Sequence, residues 1–209
     1  MSLADLRREY QGEPLSDTDS DPDPFRQFAR WMAEARRTEP DPTAMTLATA
    51  TRSGEPSVRT VLLKGVDERG FVFFTNYDSR KAHDIEETGR AALLFFWHGL
   101  DRQVRITGGV EKVSDRESDA YFATRPLESR LSVYASHQSA VIESRAALES
   151  RFETARQVYG ESVPRPSWWG GFRVIPEAFE FWQGRPNRLH DRVLYTRDHG
   201  IWKRDRLAP

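Results

Sequence analysis

The sequence predicts a mainly β fold: a largely antiparallel barrel with helices packed outside it. Three observations lead there. Short segments rich in β-branched and aromatic residues recur from residue 43 to the end, separated by Gly-, Pro- and Asp-containing turns. The helical patterns do not alternate regularly with these segments, which argues against a parallel βαβ sheet. Six Trp, six Tyr and twelve Phe in 209 residues supply the material for a packed core, and a chain of this length buries about 70% of its unfolded surface.

Composition also excludes whole classes of chemistry. The absence of cysteine removes disulfides, thiol catalysis, Cys-ligated zinc and iron–sulfur clusters. The five histidines show no metal-ligand spacing, so no metal site is expected. Nucleophile-elbow, P-loop and GxGxxG motifs are absent. No apolar run approaches the ~18 residues of a membrane span and the first residues lack a signal-peptide core, so the expectation is a cytoplasmic protein with no membrane contact. A net charge of −1 argues against a nucleic-acid partner. That charge is uneven, with two basic and seven acidic groups in residues 1–24 against seven basic and four acidic in 180–209.

Residues 1–22 form the first unit. The acidic run from Ser16 to Pro22 is too poor in apolar groups to offset its ordering entropy, so a mobile N-terminal segment is expected. Ahead of it lies a basic-aromatic island, Leu6 to Tyr10. A single domain then spans 23–209. Asp23-Pro24 reads as a cap followed by proline in the first turn, and Phe25, Phe28, Trp31, Met32 and Ala35 recur at helical spacing over 24–37. Strands follow at Thr43–Thr51, Ser57–Gly65 and Gly70–Asn76. In the second, Arg59, Val61 and Leu63 share one face, and Thr60, Leu62 and Lys64 the other.

The segment after Asn76 carries the strongest phosphate signal. Asp78-Ser79 can cap a helix whose first turn holds Arg80 and Lys81, cations at the end where acids are usual. A bound phosphate resolves that conflict, because free N–H groups there attract anions. Strands at Ala91–Trp97 and Gln103–Val113 come next, with Gly108-Gly109 marking a bulge or a close backbone approach. A helical patch, Asp115–Thr124, brings Tyr121 beside Arg125, with Ser129 near. These groups suit either a second anion or ordinary helix-surface contacts. A polar loop at 136–139 precedes a helix over 144–159, ended by Gly160. Four strands close the chain: Phe172–Ile175, Ala178–Trp182, Arg192–Thr196 and Ile201–Arg204.

The stretch from Glu180 to Arg192 draws these signals together. Read as an extended strand, it places Arg188, His190 and Arg192 on one face and Leu189 and Asp191 on the other. Such a face is either a salt-bridged edge, with Asp191 as counter-charge, or an anion site. Trp182 beside it favours a planar anionic ligand. Cations in at least three separated places suggest two ligands, or one with two anionic ends.

Several blocks together resemble the pyridoxine/pyridoxamine 5′-phosphate oxidase family. They are Arg59-Thr-Val-Leu-Leu-Lys64, Phe74-Thr-Asn-Tyr-Asp-Ser-Arg-Lys81, Arg102-Gln-Val, Tyr121-Phe-Ala-Thr-Arg-Pro126, Gln138-Ser139, Trp169-Gly-Gly-Phe-Arg-Val, Glu180-Phe-Trp-Gln-Gly with Arg188-Leu-His-Asp-Arg192, and the terminal Trp202 to Pro209. The resemblance implies an FMN-binding split β-barrel of antiparallel Greek-key type, a homodimer with FMN at its interface. It implies oxidation of pyridoxamine or pyridoxine 5′-phosphate to pyridoxal 5′-phosphate, with hydride passing from C4′ to flavin N5 and dioxygen reduced to hydrogen peroxide, in vitamin B6 biosynthesis or salvage.

Carried over by motif, the resemblance implies that FMN is held by Arg59, Thr60, Val61, Leu62, Leu63, Lys64, Phe74, Thr75, Arg80, Lys81, Gln103, Gln138, Ser139, Trp182 and Arg192. The substrate phosphate would meet Lys64, Tyr121, Arg125 and Ser129. Arg188, Leu189 and His190 would hold the pyridine end, with Arg188 and His190 the catalytic pair, and Arg7, Arg8, Glu9 and Tyr10 would form a lid. Two departures stand out: Phe74 replaces a frequent Tyr, and Arg130-Leu-Ser-Val-Tyr134 replaces a more usual Gln-Ile-Gly-Ala-Trp. The alternatives are a related flavin oxidase of another aromatic substrate, of the phenazine type, and a non-catalytic flavin-binding barrel. Neither of these needs Lys64, Tyr121, Arg125 and Arg188 together.

Overall fold

Alternating burial along nearly every strand curls the chain into one antiparallel sheet with its aromatic residues inside. The computed structural model describes residues 2–5, 8–16 and 18–209. Strands β1 (Ala44–Ala50), β2 (Pro56–Leu62), β3 (Gly65–Asp67), β4 (Gly70–Asn76), β5 (Arg90–Trp97), β6 (Arg102–Lys112) and β7 (Trp169–Gln183) run in the order β2-β1-β5-β6-β7-β4-β3. The two ends of that order are consecutive in sequence. Leu63 N–H bonds Thr43 O on one side while Lys64 N–H bonds Val72 O on the other, so the sheet closes on itself at this corner. Strands β8 (Asp191–Asp198) and β9 (Ile201–Arg206) extend it from β7 as a hairpin. The mainly β, antiparallel expectation holds.

Helix α1 (Pro24–Thr38) plugs the barrel. Asp23 caps it through Phe25 N–H, as the Asp-Pro pair predicts. Its buried Phe28 and Trp31 meet Phe71, Phe95 and Phe181 edge-on at centroid distances of 4.8, 5.1 and 5.3 Å. Burying such rings is the main driving force for this closure. A second, smaller core joins Phe122, Leu131, Val133, Ala155 and Trp169 beneath α3 (Asp115–Thr124), α4 (Leu127–Ala135) and α5 (Arg145–Tyr159).

Four differences from the sequence reading have physical causes. First, the two strands expected over 172–182 are one 15-residue strand. Pro176 lacks an N–H, but it lies opposite Gly108, where the β6–β7 register shifts, so the ladder bends there instead of ending. A side chain on Gly108 would collide with Ile175 O, the close approach that the Gly-Gly pair signals. Second, the strand expected over 57–65 ends at Leu62, where the chain crosses from one sheet edge to the other. Third, α4 is an additional helix. Fourth, the extended strand expected through Arg188 and His190 is absent. Residues Pro186–Arg188 form a 3-10 turn with Asn187 and Arg188 in the left-handed region (φ 57° and 64°), and β8 begins only at Asp191.

The segment before α1 lies against the barrel at Leu15, Ser20 and Asp21. Leu15 is buried, its N–H bonds Asp191 Oδ2 at 3.1 Å, and Arg204 and Tyr195 bond the carbonyls of Ser20 and Asp21. Composition cannot reveal these anchors, because they are main-chain bonds to side chains about 175 positions away.

Candidate functional site

A cleft of about 750 Å³ opens between β2, β4, the start of helix α2 (Arg80–Thr88), α3, α4 and the loop at 136–139. Five cations line it (Arg59, Lys64, Arg80, Lys81 and Arg125), and no carboxylate is among its lining residues. Arg80 is ion-paired with Glu55 and Asp84 lies near Arg59, but the cations still outnumber these carboxylates, so the arrangement suits an anion.

Two strands and a helix end position the first group. Arg59 reaches from β2 to Leu47 O and Thr49 Oγ1 at 3.1 and 2.7 Å, and Thr49 in turn donates to Asp84 Oδ2 at 2.6 Å. Burial pulls the guanidinium's pKa down, with Asp84 opposing and Arg80 reinforcing the shift. Lys81 is buried yet bonds only neutral oxygens: Gln138 Oε1 at 2.7 Å and the hydroxyls of Thr75 and Ser79 at 3.1 Å each. Burial, aided by Arg59, pushes its pKa down to about 8. Helix α2 points its start at the same place. Ser79 does not cap it with its side chain, and Arg80 N–H bonds Ser139 Oγ across the cleft at 3.3 Å. The helix expected after Asp78-Ser79 is present with Arg80 and Lys81 in its first turn, but the Ser79 side chain does not cap it.

The second group lies on an aromatic slab. Phe74 stacks on Tyr121 at 4.0 Å and on Trp169 at 5.5 Å, and Arg125 sits over the Trp169 ring at 4.7 Å. Burial lowers the pKa of Arg125, and its Nη1 is buried without a hydrogen-bond partner. An orphaned guanidinium nitrogen at a cation-lined cleft fits an anionic ligand, since burying it unpaired is costly.

Most of the residues expected to bind ligand meet here: Arg59, Thr60, Val61, Leu62, Lys64, Phe74, Thr75, Arg80, Lys81, Tyr121, Arg125, Gln138 and Ser139. Leu63, just past the end of β2, is buried in the barrel core instead. Ser129 is not among the lining residues. Ser132 and Ser136, farther along the same α4 stripe, are, and Ser132 donates to Ser129 O at 3.0 Å. Sequence reading missed these two, together with Ser57, Val58, Asn76, Val133 and Trp169. The signal for Ser132 was its spacing three residues after Ser129, unreadable without α4.

The remaining predicted residues form a separate constellation. Across β5, β6, β7 and β8 the register pairs Phe96 with Gln103, Gln103 with Trp182, and Trp182 with Arg192. These side chains therefore form one row on the outward face of the sheet. Three strand spacings, about 14 Å along the sheet, separate β2 from β6. His190 packs on Trp182 at 4.7 Å, and Tyr10 meets both rings edge-on at 5.4 and 5.3 Å. Arg185 N–H donates to His190 Nδ1 at 3.1 Å, which leaves Nε2 to carry the proton of the neutral ring. Burial and then the nearby Arg188 hold the His190 pKa below its ordinary value. Arg188 and Leu189 are exposed. Arg192 does not join them as a free cation, because its Nε bonds Glu180 Oε1 at 2.8 Å. Arg8 pairs with Asp101, Glu9 is exposed, and Arg7 lies outside the described residues. No cluster of potential metal ligands occurs among the described residues.

Comparison with known proteins supplies the deciding observation. Residues 32–159 match the family described as pyridoxamine 5′-phosphate oxidase, and residues 169–209 match the pyridoxine 5′-phosphate oxidase C-terminal dimerisation region. The chain belongs to the pyridoxine/pyridoxamine 5′-phosphate oxidase family. A Burkholderia cenocepacia protein named pyridoxine/pyridoxamine 5′-phosphate oxidase is 57% identical over 212 residues, covering 100% of this chain and 99% of its own. A Paraburkholderia phymatum protein of the same name is 58% identical over 210 residues, with the same coverage. Among solved structures, PhzG of Burkholderia lata 383, in complex with tetrahydrophenazine-1-carboxylic acid, superposes with a TM-score of 0.89 at 33% identity, covering 95% of this chain and 99% of that one. A pyridoxamine 5′-phosphate oxidase-related, FMN-binding protein of Nostoc punctiforme shares the fold, with a TM-score of 0.73 at 19% identity over 90% of this chain and 100% of its own. The family's split barrel and its dimerisation region both map onto this chain. No helix among the described residues is long and apolar enough to cross a membrane.

Proposed function

We propose that this protein is an FMN-dependent oxidase that converts pyridoxamine and pyridoxine 5′-phosphate to pyridoxal 5′-phosphate. The observation that carries the reading is the cleft with five cations and no carboxylate. It offers two anion receptors, one for the cofactor phosphate and one for the substrate phosphate. Bound FMN supplies a two-electron acceptor, taking hydride from substrate C4′ and passing the electrons to dioxygen, so that the amine substrate with O2 and water yields aldehyde, ammonia and hydrogen peroxide. Arg59, Arg80 and Lys81 hold the cofactor phosphate, backed by the α2 N-terminus. Lys64, Tyr121 and Arg125 hold the substrate phosphate.

Gln103, Trp182, Arg188 and His190 do not line that cleft within one chain. In this reading they come from a second copy, so the working unit is a homodimer with two composite sites. His190 donates from Nε2 to the substrate's C4′ substituent, and Arg188 orients the pyridine ring. Glu180 holds Arg192 in place beside Trp182. The 57% identity to a named oxidase exceeds the 33% identity to PhzG, which favours the phosphate-ester substrate over a phenazine-type acid.

The test is an anaerobic visible spectrum of the FMN-loaded protein before and after pyridoxamine 5′-phosphate. Bleaching of the flavin band, reversed by air with formation of pyridoxal 5′-phosphate, is expected. An unbleached flavin refutes the substrate assignment, and a protein that takes up no FMN refutes the cofactor assignment.

A further inference from the structure

Asp101 lies in the turn before β6 with φ at 54°, a left-handed conformation that Asp and Asn adopt more readily than most side chains. Its carbonyl accepts Gly184 N–H at 2.7 Å and Gln183 Nε2 at 3.2 Å. Its buried carboxylate makes no bond to its own turn. It accepts Gln11 N–H at 3.2 Å and pairs with Arg8 Nη2 at 2.7 Å. Asp101 thus joins residues 8–11 to the turn that leads to Arg188 and His190, while Arg8 also donates to His98 O at 3.2 Å. Tyr10 is caught between the two, its ring so close to Gly184 that a Cβ there would come within 2.7 Å of Tyr10 Cδ1. Arg185 closes the other side. Its side chain donates to Gly12 O while its N–H fixes His190 Nδ1.

We propose that Asp101 is a positioning residue: it clamps residues 8–11 so that Tyr10 braces the His190 imidazole and the Trp182 indole for a phosphorylated pyridine substrate. This rests on the function proposed above. A residue needed only to make the turn would spend its carboxylate on local main-chain donors, as Asp commonly does in turns. Here its one side-chain hydrogen bond and its ion pair both go to the distant segment.

The test uses the full chain loaded with FMN and carrying Asp101→Asn. Asparagine tolerates the left-handed turn and keeps the carbonyl for Gly184, but discards the charge that holds Arg8. The Gln11 amide should exchange with solvent about tenfold faster, the change expected when a charge-assisted hydrogen bond is weakened. The Gly184 amide should keep its protection. The KM for pyridoxamine 5′-phosphate should rise about tenfold while kcat stays within about twofold, as for lost ground-state binding. Arg8→Ala should reproduce both effects, and the double variant should add nothing further. Should Asp101→Asn fail to fold, Arg8→Ala decides on the same readouts.

Unchanged Gln11 exchange overturns the clamp. Equal loss at Gln11 and Gly184 reduces Asp101 to a turn former, and a loosened Gln11 with unchanged KM removes the positioning role. If the wild-type protein oxidises neither phosphate ester, the proposed function falls, while the exchange comparison still decides the clamp.

Discussion

Replacing Lys81 with methionine should stabilise the ligand-free protein and damage its anion site at the same time. The buried ammonium faces only Gln138, Thr75 and Ser79, and its pKa falls from 10.5 to about 8, first through burial and then through Arg59. That gap corresponds to about 3 kcal/mol against the charged form. Because one side of the lysine faces the open cleft, we expect a gain of about 1–3 kcal/mol for Lys81→Met near neutral pH. The sign follows from proton binding. Below about pH 8 both native and unfolded chains carry the proton, and the native state bears the full burial cost. Between about 8 and 10.5 the native lysine is neutral while the unfolded one still binds a proton, so wild-type stability rises with pH and the variant's advantage shrinks. Calorimetry without FMN, near pH 7 and again near 9.5, reads this as a melting shift of about 2–4 °C per kcal/mol that diminishes at the higher pH. FMN affinity should drop roughly 10- to 150-fold with the loss of one charge-assisted bond to phosphate. A variant less stable at neutral pH, or an advantage independent of pH, would mean that the three hydrogen bonds outweigh the buried charge.

Arg188→Ala should keep its flavin while turnover falls about 100-fold or more. Because Arg188 depresses the His190 pKa, the same variant should move His190 titration upward in NMR, and an unmoved titration would place Arg188 away from the ring. Ala48→Glu puts a charge on the outward row that pairs Val58, Ala48, Ala92 and Thr107. If that face joins two copies, sedimentation should show monomers and FMN retention should fall; an intact dimer would put the interface elsewhere. Gly108→Ala forces a side chain into Ile175 O and should cost about 3 kcal/mol in urea denaturation, whereas a wild-type midpoint would show that the bulge has room to relax.

The elements most legible in the sequence were those with local causes. Asp23-Pro24 and the aromatic spacing after it declared α1, and Gly108-Gly109 declared the bulge. Asp78-Ser79 declared the start of α2, with Arg80 and Lys81 in its first turn. What remained hidden depended on distant partners. Pro176 looked like a strand break, and only Gly108 across the ladder makes it a bend. Arg188 and His190 sit at alternate positions, yet Asn187 and Arg188 take left-handed backbone, so the spacing gave a false common face. The sequence offers Arg192 either Asp191 as counter-charge or an anion, and it is Glu180, twelve residues earlier, that lies beside it through the β7–β8 pairing.

The division of the site follows from the same geometry. Phosphate recognition needs clustered cations and free amides, which β2 and the helix starts supply on one side of the barrel. Holding a flat ring needs a rigid platform, and the row Phe96–Gln103–Trp182–Arg192 spans adjacent strands whose mutual positions are set by ladder hydrogen bonds. Within one chain none of the four residues of this row lines the cation cleft. Two copies related by symmetry solve the problem, since each can lay its ring platform against the other's cation cleft. On this view, catalysis and dimerisation in this protein are one requirement. Any change that separates the copies should remove the aromatic wall from every site while leaving each cleft's affinity for a simple phosphate intact.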